Sequence, residues 1–238
     1  MIEALVFDKD GTLIQLGHAW DKPSIDVTDY LLSETSLSDL EKTAFRSKMG
    51  IQGEAILPNS IFAVASLGEQ AQIFAQVVPR SADEIEDILM EFYLSHLQNN
   101  PAAMQLNPYV EEVLQEAQDQ YRLALVTNDS LPLTRAILQG LGILDYFDFI
   151  GCADEFGPKP NPAALQAYSQ RSEIPLDKMV YIGDSAVDMT YGKHTAASIA
   201  YLDQEDHQSF LAEGDYFISD FRDLLPVIDT LNRKKEDK

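Results

Sequence analysis

The sequence predicts an α/β protein: a parallel sheet core flanked by helices, with an all-helical segment inserted after the first strand. Three observations carry this. Short runs that are apolar at every position recur along the chain and stop at a polar residue, as strands buried on both faces do. Helix-period stretches lie between those runs, the alternation of a right-handed βαβ sheet. Residues 16–105 break the rhythm, with helical spacing and no strand.

Ala4-Leu5-Val6-Phe7 is the first run and stops at Asp8. In the insert, Leu31, Leu32, Leu37, Leu40 and Phe45 have helical spacing, as do Ile61 to Leu67, Ile73 to Val78 and Ile85 to Leu97. Pro101 and Pro108 mark the return. Pro108 suits the first turn of a helix whose buried face is Val110, Val113, Leu114 and Ala117. Leu123-Ala124-Leu125-Val126 ends at Thr127-Asn128, a helix is read from Leu133 to Leu141, and Phe147-Asp148-Phe149-Ile150 is a weaker strand. Ala163 to Tyr168 is helical, and Met179-Val180-Tyr181-Ile182 ends at Gly183-Asp184. Ser198 to Leu202 and Tyr216 to Ile218 complete the strands, and Phe221 to Leu231 is the last helix.

Composition excludes several function classes. Seventeen Lys and Arg against 39 Asp and Glu leave a net charge of −22 over 238 residues. Such a surface repels nucleic acid and anionic lipid, so neither is expected as a partner. No apolar run reaches the roughly 18–20 residues of a membrane helix, and the N-terminal residues do not read as a secretory signal. The lone Cys152 cannot form an internal disulfide, which with the other signs gives a cytoplasmic expectation.

Ligands of open parallel sheets bind beyond the carboxyl ends of the strands. The polar residues there are Asp8 and Asp10, then Thr127 and Asn128, then Asp184 and Asp188, with Lys159 before the helix that starts near Pro160-Asn161-Pro162. A parallel sheet brings them all to one edge. Four converging carboxylates stay ionised only beside a cation. Oxygen donors without His or Cys select Mg²⁺ over zinc. A hydroxyl, an amide and an ammonium suit phosphate oxygens. A carboxylate nucleophile with a metal and a lysine describes phosphoryl transfer through an aspartyl-phosphate.

Four segments carry a resemblance: Asp8-Lys9-Asp10-Gly11-Thr12-Leu13, Leu125-Val126-Thr127-Asn128, Lys159-Pro160-Asn161-Pro162 and Gly183-Asp184-Ser185-Ala186-Val187-Asp188. In this order they resemble the four motifs of the haloacid dehalogenase-like hydrolase superfamily, in the phosphatase branch related to phosphoglycolate phosphatase. The resemblance implies a Rossmann-like core, residues 1–15 and 106–238, and an all-helical cap, residues 16–105. It implies that Asp8 is the nucleophile and a metal ligand. Asp10 is the acid and base and lends its carbonyl to the metal. Thr127, Asn128 and Lys159 hold the phosphate. Asp184 binds Mg²⁺, and Asp188 binds it or orients its waters from outside. Gly11 suits a sharp turn and Thr12 a supporting hydrogen bond. The implied activity is Mg²⁺-dependent hydrolysis of a small phosphorylated metabolite by a monomer or homodimer. Phosphomutase or phosphonatase chemistry on the same core, with Lys22, Lys42 or Lys48 for the latter, and a catalytically idle homologue are the alternatives.

Two departures from the family's pattern stand out. Lys9 replaces the usual apolar or aromatic residue, and the stretch Gly192-Lys193-His194-Thr195-Ala196-Ala197-Ser198 carries alanine where a glycine is common. Lys9 either adds a cation near the phosphate or points outward. Asp184 and Asp188, four apart, share one helical face if the helix begins at Asp184. His18, His96, His194, His207 and Trp20 are read as ordinary surface or capping residues, and Cys152 as a small buried one. Arg46 and Lys48 either solvate a helix or reach a second anionic group of the substrate.

Overall fold

Strands whose every residue is apolar must be covered on both faces, and that requirement arranges the chain. The computed structural model describes residues 1–15, 18–57, 60–100, 103–202 and 214–236. Its strands are β1 (Ala4–Phe7), β2 (Ile51–Gln52), β3 (Ala55–Ile56), β4 (Arg122–Thr127), β5 (Phe149–Cys152), β6 (Met179–Gly183), β7 (Ala197–Tyr201) and β8 (Tyr216–Ile218). Six of them form one sheet in the order β5-β4-β1-β6-β7-β8, every neighbouring pair parallel. This is the α/β core that the alternation of runs predicts. In the register, Phe7 stands between Leu125 and Ile182. Asp8 therefore leaves β1 beside the carboxyl ends of β4 and β6, where the winding of the sheet reverses and ligands of such folds collect.

The chain divides into two units, residues 1–15, 105–127 and 138–238, and residues 16–104 with 128–137. In the first, Val6, Ala124, Val126, Leu165, Tyr168, Tyr181 and Tyr191 build one buried face. Phe7 stacks on Phe221, with centroids 6.3 Å apart. In the second, helices Asp21–Ser33, Asp39–Met49, Ile61–Val64, Leu67–Phe74 and Ala82–Asn99 enclose their own core of Val27, Leu31, Phe45, Phe74, Ile85 and Leu89. Each such side chain contributes about 1.5–3 kcal/mol on burial. Three of these helices start with a reciprocal Ser–Glu capping box, Ser38 with Glu41, Ser66 with Glu69 and Ser81 with Glu84.

Three details differ from the sequence reading. The insert carries the antiparallel β2–β3 ladder, where Ile51 pairs with Ile56. Its arms of two residues are too short to display an alternating pattern; Gly53, at positive φ, sits in the turn between them, and Gly50, also at positive φ, ends the helix before them. Residues 128–137 group with the insert, Leu133 joining its core, although they follow a strand of the sheet. The third apolar strand runs over Phe149–Cys152 rather than starting at Phe147. No helix among the described residues is long and apolar enough to cross a membrane. Pro101 and His207 lie outside the described residues.

Candidate active site

The first acidic segment is shaped by its backbone. Asp8 follows β1, is 6% exposed, and its N–H donates to Ile182 O at 2.8 Å. The next residues close a tight loop in which the Lys9 carbonyl accepts from Leu13 N and Ile14 N at 2.9 and 3.0 Å. Gly11 sits at φ +79°, and a Cβ on it would fall 2.2 Å from Asp184 Oδ2. A Cβ on Gly183 would fall 2.3 Å from Asp188 Cβ. Side chains at either position would occupy the space of the carboxylates, so glycine is required at both.

Asp8, Asp184 and Asp188 each offer a carboxylate oxygen within 4.8 Å of the others. The Lys159 ammonium donates to Asp8 Oδ1 and Asp188 Oδ1, both at 2.6 Å, and to Tyr181 Oη at 3.1 Å. Three carboxylates and one ammonium leave two negative charges, the amount a divalent cation neutralises. The group proton affinities reflect this strain. Burial, then the charges of Asp188 and Asp10, push Asp8 up to about 7 against the opposing pull of Lys159. Burial, with the charges of Asp8 and Asp188, raises Asp184 well above the usual carboxylate range. Burial alone would raise Asp188 too. Lys159 and the hydrogen bonds from Lys159, Ser185 and Tyr181 outweigh it and hold Asp188 below its ordinary value. Burial opposes the Lys159 charge, yet Asp188 and Asp8 bind its proton more firmly than on a free lysine.

Asp184 and Asp188 do not share a helical face. The helix Ala186–Gly192 begins after Asp184, with Ser185 as its N-cap. Asp188 closes the capping box, its Oδ2 accepting from Ser185 N at 3.1 Å and Ser185 Oγ at 2.5 Å. Both Asp188 oxygens are thus engaged by protein donors. Asp184 instead accepts from Thr12 Oγ1 at 3.2 Å, the supporting hydrogen bond read for Thr12.

The remaining expected residues are placed unequally. Asp10 is partly exposed, and its Oδ2 lies 2.6 Å from Lys9 Nζ. Lys9 is fully buried, so it does not point outward. Thr127 is buried at the end of β4, and Asn128, the next residue, belongs to the second unit. Arg46 is paired with Asp29, and Lys48 Nζ donates to Gln76 Oε1 at 3.3 Å, both within their own unit. Lys22 is paired with Asp26 at 2.7 Å. Trp20 packs edge-on against Tyr93, and Cys152 is a buried cysteine at the end of β5, outside any disulfide. Two participants escape the sequence reading. Tyr181 sits inside an apolar run, where tyrosine passes for a core residue. Ser185 had a signal, the Ser-x-x-Asp spacing of a capping box ending on Asp188.

A protein-family model described as haloacid dehalogenase-like hydrolase matches residues 2–194. The chain belongs to this family. Its relatives include proteins named phosphoglycolate phosphatase, the branch that the four motifs resemble. The one from Pectobacterium atrosepticum is 28% identical over 243 aligned positions, covering 95% of this chain and 92% of that protein. The one from Rhodospirillum rubrum is 27% identical over 210 positions, covering 85% and 80%. Among solved structures, CbbY from Rhodobacter sphaeroides in complex with phosphate superposes with a TM-score of 0.71. It is 20% identical, with 94% of this chain and 96% of that chain covered, and shares the family fold.

Proposed function

We propose that this haloacid dehalogenase-like hydrolase is a Mg²⁺-dependent phosphoric monoester hydrolase acting on a small phosphorylated metabolite through an aspartyl-phosphate at Asp8. The observation that carries the reading is the buried Asp8 beside Asp184 and Asp188, with one ammonium 2.6 Å from two of the three carboxylates. The residues fit a hard divalent cation: the donors are oxygens, and the local charge is two short of neutral. Asp8, Asp184 and the Asp10 carbonyl would hold it, with Asp188 orienting the surroundings. When bound, the ion supplies positive charge against the transferring phosphoryl group.

An Asp8 oxygen bonds to phosphorus as the ester P–O bond breaks, and Asp10 gives its proton to the departing alkoxide. Asp10 then takes a proton from water. The water oxygen bonds to phosphorus and the Asp8–phosphorus link breaks, releasing inorganic phosphate. Lys159, Thr127 and the Asn128 backbone carry the phosphoryl oxygens' negative charge, and most of the acceleration is positioning and charge neutralisation.

Residues 16–105 are, in this reading, the cap domain. The relatives named phosphoglycolate phosphatase support phosphoglycolate as the first substrate to try. A chromogenic phosphate ester and phosphoglycolate, each with Mg²⁺, test the proposal. Hydrolysis by the native chain that disappears in Asp8→Asn supports it. Undiminished turnover in Asp8→Asn, or none by the native chain over a broad panel of phosphorylated metabolites, overturns it.

A further inference from the structure

We propose that Asn107 is a positioning residue for the cation site, acting on Asp184 through Thr12. Nothing in the motif pattern points to it. The residue is 5% exposed and lies just past the insert, where Gln15 N donates to Gln105 O at 2.9 Å and Ile14 bridges to Leu106. From there it reaches three consecutive carbonyls of the loop behind the nucleophile. Its side-chain amide donates to Gly11 O at 3.2 Å and Thr12 O at 2.8 Å, and its backbone N–H donates to Leu13 O at 2.8 Å.

Those carbonyls belong to the residues that confine Asp184. Thr12 Oγ1 donates to Asp184 Oδ1, and Gly11 lies so close that a single added carbon would overlap the carboxylate. A loop of this length has no internal ladder to hold Gly11 O and Thr12 O, and one planar amide with two N–H groups serves both at once. The chain around Asn107 is itself fixed. Val110 N donates back to Asn107 O at 3.3 Å, and the Arg222 guanidinium stacks 3.9 Å from the ring centre of Tyr109. Removing the amide frees two buried carbonyls and lets the 11–13 turn drift from Asp184. A carboxylate that wanders is a poorer ligand, although no contact to it has been deleted.

The test is calorimetric titration of Mg²⁺ into the full chain without substrate, which reads the site independently of turnover. Asn107→Ala is expected to weaken cation binding by about fivefold or more, the size of one lost neutral hydrogen bond. Thr12→Val should do the same, and the double variant should be no worse than the weaker-binding single, because both act on one path. If Asn107→Ala does not fold, Asn107→Ser, which keeps one donor, takes its place in the cycle. Affinity within twofold of native in the Asn107 variant overturns the proposal, as do effects of the two substitutions that simply add. The inference rests on the cation-site part of the proposed function. Failure of the hydrolytic reading would appear as a native chain that binds Mg²⁺ and turns nothing over, whereas failure here appears in the titrations alone.

Discussion

Gly11→Ala is the sharpest perturbation the site offers, because it inserts one carbon at a known place. Two costs follow. Alanine at φ +79° carries the left-handed penalty of about 1–2 kcal/mol. The new Cβ also meets Asp184 Oδ2 at 2.2 Å, Cγ at 2.5 Å and Oδ1 at 2.9 Å, against the 3.4 Å of ordinary contact. The carboxylate must retreat by more than an ångström from the place it now holds. Displacing a group that orients or supplies a metal ligand costs on the order of 10–100-fold in affinity. Gly142→Ala is the control: it sits at φ +74° with nothing within 4 Å of the added carbon. It should lose only the backbone term, about 2–8 °C in Tm for a chain of this size. Thermal melts and Mg²⁺ titration of both variants separate the two effects. Gly11→Ala should melt at least as low as the control and lose most of its cation affinity, while the control binds as the native chain does. Native-like Mg²⁺ binding by Gly11→Ala would refute the claim that this glycine is kept for the carboxylate beside it.

Protons and cations should compete. With Asp8 raised to about 7 and Asp184 raised as well, the folded chain without a cation holds protons that the unfolded chain, at ordinary carboxylate values near 3.8, has released. The contribution of these two carboxyls to stability therefore falls as pH rises from about 4 through about 7. Mg²⁺ should restore more Tm, and bind more tightly, at about pH 8 than at about pH 5; equal affinity at both contradicts the coupling. Lys9→Met removes a fully buried charge whose partner Asp10 is water-accessible, so Tm should hold or rise while kcat falls with little change in KM. A lowered Tm with unchanged kcat would reduce Lys9 to a packing role. Tyr109 occupies φ +66° without being glycine. Tyr109→Gly should therefore be more stable than Tyr109→Ala by about 1 kcal/mol in urea unfolding, since both lose the Arg222 stack but only alanine keeps the strain.

The sheet was legible because its signal is local. The apolar runs ending at Asp8, Thr127 and Gly183 mark β1, β4 and β6, and parallel register alone carries Asp8 and Asp184 to one edge. Lys159 was legible from its place before the Pro160-Asn161-Pro162 stretch, and its ammonium reaches Asp8 and Asp188. Tyr181 was not, because an apolar run hides which of its members lends a hydroxyl to a neighbour. Asn107 was invisible for a different reason: its partners are backbone carbonyls more than ninety residues away, which no spacing encodes. The shared helical face read for Asp184 and Asp188 failed because the helix starts only at Ala186, behind a cap that Ser185 and Asp188 form together. The β2–β3 ladder escaped because two-residue arms are shorter than one period of any pattern.

The central claim is that Asp8 becomes covalently phosphorylated. Borohydride added during turnover of a phosphorylated substrate reduces an acyl phosphate to the alcohol, converting that aspartate to homoserine. Mass analysis of the peptide that spans β1 and the following loop should find the conversion at position 8 and nowhere else, dependent on both substrate and Mg²⁺. Turnover that proceeds with Asp8 unmodified, or with the conversion at another carboxylate, would contradict the account.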